Sequence, residues 1–479
     1  MGHSYETINK GYLIGLTVVA TLGGLLFGYD TAVISGTVGS LESFFIEPHG
    51  LSETAANSML GIVVSSALVG CVIGGLLGGI VSLKFGRKKG LMLAALLFLI
   101  SALGSSMPEM FLAPIGSADH TFVNMFILYR IIGGIGVGMA SMMSPMYIAE
   151  VSPAHMRGKL VSWNQFAIIF GMLVVYFVNY SISLRGDDLW LNEIGWRWMF
   201  ASEMIPASLF LFFLFFVPET PRYLVMQNNQ AGALNVLTKI NGSQIARKVL
   251  DEINESLGQK RGKLFSYGFG IVVIGILLSV FQQFVGINVV LYYAPEIFRN
   301  MGAATDVALL QTVVVGFINL SFTILAIFTV DKFGRKPLMI IGALGMAFFM
   351  FALGLSFYFQ SVGIGALLFM LGYVASFAMS WGPVTWVLLS EIYPNRIRGR
   401  AMAIAVAAQW IANYLVSWTF PMMDKSSFLT NLFNQGFSYW IYGFMGVLAT
   451  LFILKFVPET KGKTLEEMEH LWSGKKVKG

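Results

Sequence analysis

Twelve apolar runs of about twenty residues follow one another along this chain, each long enough to cross a hydrocarbon core of roughly 30 Å as a helix. Lipid offers no partner to backbone N–H and C=O groups, so spanning runs of this kind satisfy their own backbone as α-helices. They fall near 12–36, 56–81, 90–107, 122–145, 159–182, 197–217, 267–293, 307–330, 337–358, 363–390, 400–420 and 437–457. Composition points the same way. At 56% hydrophobic, 12% charged and a mean hydropathy of +0.72, 479 residues leave too little polar surface to cover a soluble particle. The expected fold is all-α and polytopic.

The polar punctuation between the runs is duplicated. Gly86-Arg87-Lys88 recurs as Gly334-Arg335-Lys336, Glu150 with Arg157-Gly158 as Glu391 with Arg398-Gly399, and Pro218-Glu219-Thr220 as Pro458-Glu459-Thr460. Each recurs about 240 to 250 residues later in the same direction, and parallel repeats of six helices are what alternating-access secondary transporters are built from. The spacing drifts because the first half carries longer loops around 40–55 and 107–121. The expected organisation is a six-helix bundle over 1–221, a linker of short cytoplasmic helices over 222–264, and a second six-helix bundle with a tail over 265–479. Amphipathic pieces at Leu234–Ile240 and Val249–Leu257 supply the linker helices.

Basic residues set the orientation. Lys84 with Arg87 to Lys89, Arg157 with Lys159, Arg222 to Lys263, Lys332 with Arg335 and Lys336, Arg396 to Arg400, and Lys461 with Lys463 occupy alternate loops. By the positive-inside rule those loops and both termini face the cytoplasm of a bacterial inner membrane. The net charge of +6 is thus a membrane flank, with no indication of nucleic acid. The first run, beginning near Tyr12, is long enough to span and precedes further spans, so it reads as a helix rather than a cleaved signal. Cys71, the one cysteine, reads as a small buried residue. The longest polar stretch, 222–263, is too short for a catalytic domain, so any chemistry lies within the membrane unit.

Aligning the halves exposes what is not scaffold. Asp30 falls opposite Asn288 and Arg130 opposite Leu371, so the mid-span charges belong to the first half alone. Ionisable groups inside a membrane are costly and mark function. Burial favours a protonated Asp30 and a nearby Arg130 favours its carboxylate, so a change in their separation makes Asp30 a proton switch. The alternative is a fixed ion pair joining two helices. Glu203, in the sixth span, is a second proton group or else a carboxylate near the outer interface. His3, His49, His120, His155 and His470 all fall in loops or tails, which leaves proton work to carboxylates.

The second half collects neutral groups: Gln282, Gln283, Asn288, Tyr292 and Tyr293 on the seventh span, Asn319 on the eighth, Trp386 on the tenth, and Gln409 with Trp410 on the eleventh. Gln165 joins from the fifth. Amides donate and accept as sugar hydroxyls do, and an indole or phenol can lie against a sugar's C–H face. A neutral polyol suits this set; interhelical bonding is the alternative for any one amide. Gln282 and Gln283 point about 100° apart on a regular helix, so both face one cavity only if the helix is broken. Gly286 and Pro295 permit that, as Gly382-Pro383 does before Trp386. At the inner helix ends Arg87, Arg157, Arg335 and Arg398 lie with Glu150, Glu219, Glu391 and Glu459, as ion pairs of a cytoplasmic gate or as simple topology markers. No cofactor motif or metal cluster emerges. Gly462-Lys463-Thr464 lacks the first glycine of a P-loop and follows a span rather than a strand, and Asn241-Gly242-Ser243 sits on the side where glycosylation does not occur.

These motifs, with Pro218-Glu219-Thr220-Pro221-Arg222, Gln282-Gln283 through Asn288, Gly382-Pro383 with Trp386, and the Pro458 to Gly462 ending, resemble the sugar porter family of the major facilitator superfamily. Phe27-Gly28-Tyr29-Asp30 and the whole course of the chain are most similar to its bacterial D-xylose:proton symporter branch. The resemblance implies a twelve-helix rocker-switch fold and no enzymatic activity. It also implies sugar contacts at Gln165, Gln282, Gln283, Asn288, Trp386 and Gln409, with Phe27, Tyr292, Asn319, Gly382 and Trp410 nearby, and coupling through Asp30 and Arg130. Two positions depart from the pattern: Leu83 stands where the family has an acid or amide, and Met172 where the xylose branch has a glutamine near its site. The partners expected are a monosaccharide, a proton and the bilayer, with one chain sufficient as a monomer. A hexose uniporter would have no need of Asp30. A non-cycling sugar sensor would be expected to carry a long signalling tail, and an intramembrane enzyme lacks its nucleophile, metal or cofactor loop.

Overall fold

A computed structural model describes residues 8–257 and 264–461, the side chains at 154, 256, 331, 395 and 396 excepted. His3, His470, the Gly462-Lys463-Thr464 segment and the end of the linker lie outside the described residues. Among the described residues there is no strand, and 12 helices are long and apolar enough to span: Lys10–Gly36, Glu53–Phe85, Arg87–Ser106, His120–Val151, His155–Ser183, Asp188–Leu214, Phe269–Tyr292, Thr305–Val330, Arg335–Tyr358, Ile364–Ile392, Ile397–Asp424 and Gly436–Phe456. The fourth span overshoots its apolar run by a turn and more at its basic end, because a helix is ended by its cap and not by hydropathy.

Small residues let the helices approach. Gly70 and Gly74 of the second span lie on the fourth, where a side chain on Gly134 would stand 1.8 Å from the Ala67 carbonyl. Between the halves, the second span packs on the eleventh and the fifth on the eighth.

Three spans are interrupted, and the interruptions position the site. The seventh is helical to Phe284, turns through Gly286 at φ +91°, and resumes as Ile287–Tyr292 and then Ala294–Asn300. That left-handed backbone suits glycine. The tenth breaks at Ser380, between Ile364–Met379 and Trp381–Ile392. This is ahead of Gly382-Pro383, because Pro383 falls in the first turn of the resumed helix, where a missing N–H costs nothing. The sixth breaks at Ser202-Glu203, between Trp196–Ala201 and Met204–Leu214.

The linker forms Pro221–Met226, Gln230–Asn241 and Ser243–Leu257, longer than the two amphipathic pieces because Thr220 and Asn229 cap the first two upstream. The Asn9 N–H donates to the Ile240 carbonyl at 3.0 Å, tying the linker to the start of the first span.

Candidate functional site

Asp30, Arg130 and Glu203 converge in one enclosure, exposed by 0%, 1% and 0%. Arg130 Nη1 donates to Asp30 Oδ1 at 2.7 Å and Nη2 to the Asp30 backbone carbonyl at 3.0 Å, so one guanidinium grips side chain and main chain together. The guanidinium also lies 5.3 Å from the centre of the Phe200 ring. The break in the sixth span brings the buried Glu203 carboxyl against that of Asp30. Neither Glu203 oxygen nor Asp30 Oδ2 has a hydrogen-bond donor among the described residues. Two carboxyls thus share one cation where water is excluded. One negative charge is balanced and a second is not, and a buried unpaired charge is expensive. A single proton, donated from one carboxyl to the other, resolves the imbalance.

The neutral groups line the neighbouring elements. Gln282 Nε2 donates to the Trp381 carbonyl at 2.9 Å, which also accepts from Thr385 Oγ1 at 2.7 Å, with a longer 3.4 Å approach to that of Gly382, and so ties the seventh span to the tenth beside its break. Asn288 Nδ2 donates to Gln283 Oε1 at 2.6 Å across the turn at Gly286. The break in the seventh span falls beyond both glutamines and does not swing them onto one face; each instead serves a different interruption. Gln282 Oε1 and Gln409 Oε1 are buried without a donor, which leaves two acceptors for hydroxyls. Gln165 and Trp386 are half-buried, Asn319 is buried, and Phe27 of the first span meets Trp410 of the eleventh at 5.5 Å between ring centres. The Tyr292 hydroxyl accepts from Asn413 at 3.4 Å. Asn413 was not anticipated, although it follows Gln409 by four residues and therefore shares its helix face. Tyr176 was also missed; its hydroxyl donates across the halves to the Leu291 carbonyl at 3.0 Å. Met172 is buried in the wall beside Gly28, and Leu83 is exposed at the inner end of the second span.

At the ends of the spans that carry the basic loops, the duplicated motifs build the same network twice. Arg87 pairs with Glu150 at 2.7 Å and Arg335 with Glu391 at 2.8 Å; Thr220 and Thr460 donate their hydroxyls to those same glutamates at 2.6 and 2.5 Å. Glu219 accepts from the backbone of Arg87 and Lys88, and Glu459 from that of Arg335 and Lys336. The glycine of each motif, at φ +97° and +90°, makes room: a side chain on Gly86 would stand 2.3 Å from Glu219 Oε2. The two carboxylates differ all the same. Burial pushes Glu219 above the usual range, outweighing its backbone donors, Thr220 among them, whereas for Glu459, less buried and with the Lys461 N–H added to the equivalent donors, the backbone bonds overcome burial and hold it below. Arg157 and Arg398 donate to the Ala149 and Tyr393 carbonyls. Both glutamate–arginine pairs join spans of the same half.

A family model described as "Sugar (and other) transporter" matches residues 16–472. The chain is 65% identical to the D-xylose-proton symporter of Escherichia coli (strain K12), over 97% of this chain and 96% of that protein. It is 42% identical to the glucose facilitated diffusion protein of Zymomonas mobilis, over 98% and 99%. Among solved structures it is similar to the xylose transporter XylE from E. coli in a partially occluded inward open conformation, at 62% identity and a TM-score of 0.88, covering 95% of this chain and 100% of that chain.

Proposed function

The chain belongs to the family of sugar (and other) transporters, and from that premise we propose that it imports D-xylose together with a proton by alternating access. The observation that carries this reading is the adjacency of two unlike sites: a buried Asp30–Arg130–Glu203 cluster with room for one proton, and a wall of neutral amides and aromatics with unsatisfied acceptors. In this reading Gln165, Gln282, Gln283, Asn288, Trp386 and Gln409 hold the sugar hydroxyls. Phe27, Tyr292, Asn319, Gly382 and Trp410 shape the space around the ring.

The coupling follows from charge. With a proton between Asp30 and Glu203 the cluster is neutral and the halves can rock without dragging a bare charge through lipid. Losing the proton on the inner side returns the second negative charge, which Arg130 then shares. A proton crossing 100 mV gains about 2.3 kcal/mol, enough to bias the cycle inward. The inner networks of Arg87, Glu150, Arg157 and Glu219, and of Arg335, Glu391, Arg398 and Glu459, act as gate elements of their own halves. The bundles comprise 1–221 and 265–479, bridged by the linker at 222–264. The chain works as a monomer in the bacterial inner membrane, with both termini in the cytoplasm, as its basic loops require.

Proteoliposomes with an inward proton gradient test this: labelled D-xylose should accumulate above its outside concentration and leak back when a protonophore is added. The likeness to a facilitated-diffusion protein supports a second reading, sugar uniport. Equilibration without accumulation, indifferent to the protonophore, would favour it.

A further inference from the structure

The face opposite the Gly-Arg-Lys turns is fastened by carboxylates. Lys425, just past the eleventh span, forms an ion pair with Glu42, which lies between the first and second spans. Ser427 opens the short helix Ser427–Phe433. It donates its backbone N–H, at 2.6 Å, and its hydroxyl to Glu53, the first residue of the helix forming the second span. One turn deeper, Trp418 Nε1 donates to Ser58 Oγ at 3.2 Å. All of these bonds cross from the first half to the second.

The internal repeat sets up an equivalent seam between the fifth and eighth spans, and it is built differently. There Leu173 and Tyr176 of the fifth span pack against Gly316 of the eighth. The bonds on the first seam therefore come from particular residues and are not a by-product of the fold.

We infer that Glu42 and Glu53 form a latch that favours the state closed on this outer face. An equilibrium moves only through interactions present in one state and absent in the other, and these bonds exist only while the outer ends of the halves meet. Their exposure sets their strength: the Lys425 and Glu42 side chains are 28% and 25% exposed, and a pair so placed shifts an equilibrium by up to about fivefold. That is enough to bias the cycle without arresting it. The inference rests on alternating access but on neither the sugar nor the proton.

The test is a pulsed-EPR distance between spin labels on the exposed outer loops, at Ser117→Cys and Ser361→Cys in a Cys71→Ser background, with the full chain in lipid nanodiscs and no sugar present. Glu42→Gln and Glu53→Gln should each raise the long-distance population several-fold, and together more. Exchanging the charges, Glu42→Lys with Lys425→Glu, should restore the parent distribution. Ser427→Ala, which removes a donor without touching charge, should move it the same way as Glu53→Gln. An unchanged distribution in the double glutamine variant, or a charge exchange that restores nothing, overturns the latch. Because the measurement uses no sugar and no proton gradient, a wrong sugar or an absence of proton coupling leaves the result intact.

Discussion

The two halves share a scaffold and a repeated Arg–Glu–Thr network at their basic ends, yet differ sharply at the level of Asp30. In the first half that level holds Asp30, Arg130 and Glu203; in the second, Asn288 and Leu371 replace the first two, and the helices are opened at Gly286 and Ser380 to present amides. Duplication fixed the frame, and on the proposed reading divergence gave the first half the proton cluster and the second most of the sugar contacts. Coupling then needs no long path, since Phe27, three residues before Asp30, already touches Trp410 of the opposite half.

The sharpest way to break this contrast is to make the first half resemble the second. Arg130→Leu, copying Leu371, leaves two buried carboxyls without their cation and should cost about 3–5 kcal/mol, read as a large drop in melting temperature in detergent. Adding Asp30→Asn and Glu203→Gln should recover much of it. A single mutant as stable as the parent would mean that the cluster carries no charge.

Next in size is Gln282→Ala. It removes a hydroxyl acceptor and so leaves a bound sugar hydroxyl unpaired, for about 1–3 kcal/mol, or roughly 10- to 100-fold in D-xylose affinity by calorimetry, while the Trp381 carbonyl keeps its bond from Thr385 Oγ1. Proton binding to the first-half cluster should be unaffected, and a change in both would erase the division of labour.

The smallest effect separates the twin inner networks. Ionised Glu219, held above its ordinary value of 4.5, costs stability that is regained as the pH falls through its raised value. Ionised Glu459, held below 4.5, contributes stability that persists until the pH falls through its lowered value. On acidification Glu219 therefore gives up its charge first. Hydrogen exchange, corrected for the intrinsic rate, should show the Arg87 and Lys88 amides gaining protection as the pH falls through the raised value of Glu219, and those of Arg335 and Lys336 losing it only below 4.5. Changes of the same sign at the same pH would make the networks equivalent.

Much of this was legible in the sequence because it depends on periodicity and cost. Twelve spans follow from run length, the repeat from punctuation, and Asp30 with Arg130 from the expense of charge in lipid. Glu203 was ambiguous, since an acid in an apolar run does not announce the break at Ser202-Glu203 that turns it inward. The glutamine pair was legible as buried amides but not in its geometry: the break at Gly286 falls beyond both, so Gln282 meets the tenth span while Gln283 meets Asn288. Arg157 and Arg398 looked like partners for glutamates and instead cap carbonyls at the ends of the preceding spans. Charge pattern alone does not distinguish those outcomes. Asn413 could have been found from its four-residue spacing to Gln409.

The central claim is that Asp30 couples the sugar to the proton, and it is tested most directly in proteoliposomes by recording proton entry on addition of D-xylose, for the parent chain and for Asp30→Asn. The account predicts proton entry in the parent, and in the mutant sugar exchange with no proton movement. Proton entry that survives in Asp30→Asn, or sugar flux without protons in the parent, would contradict it.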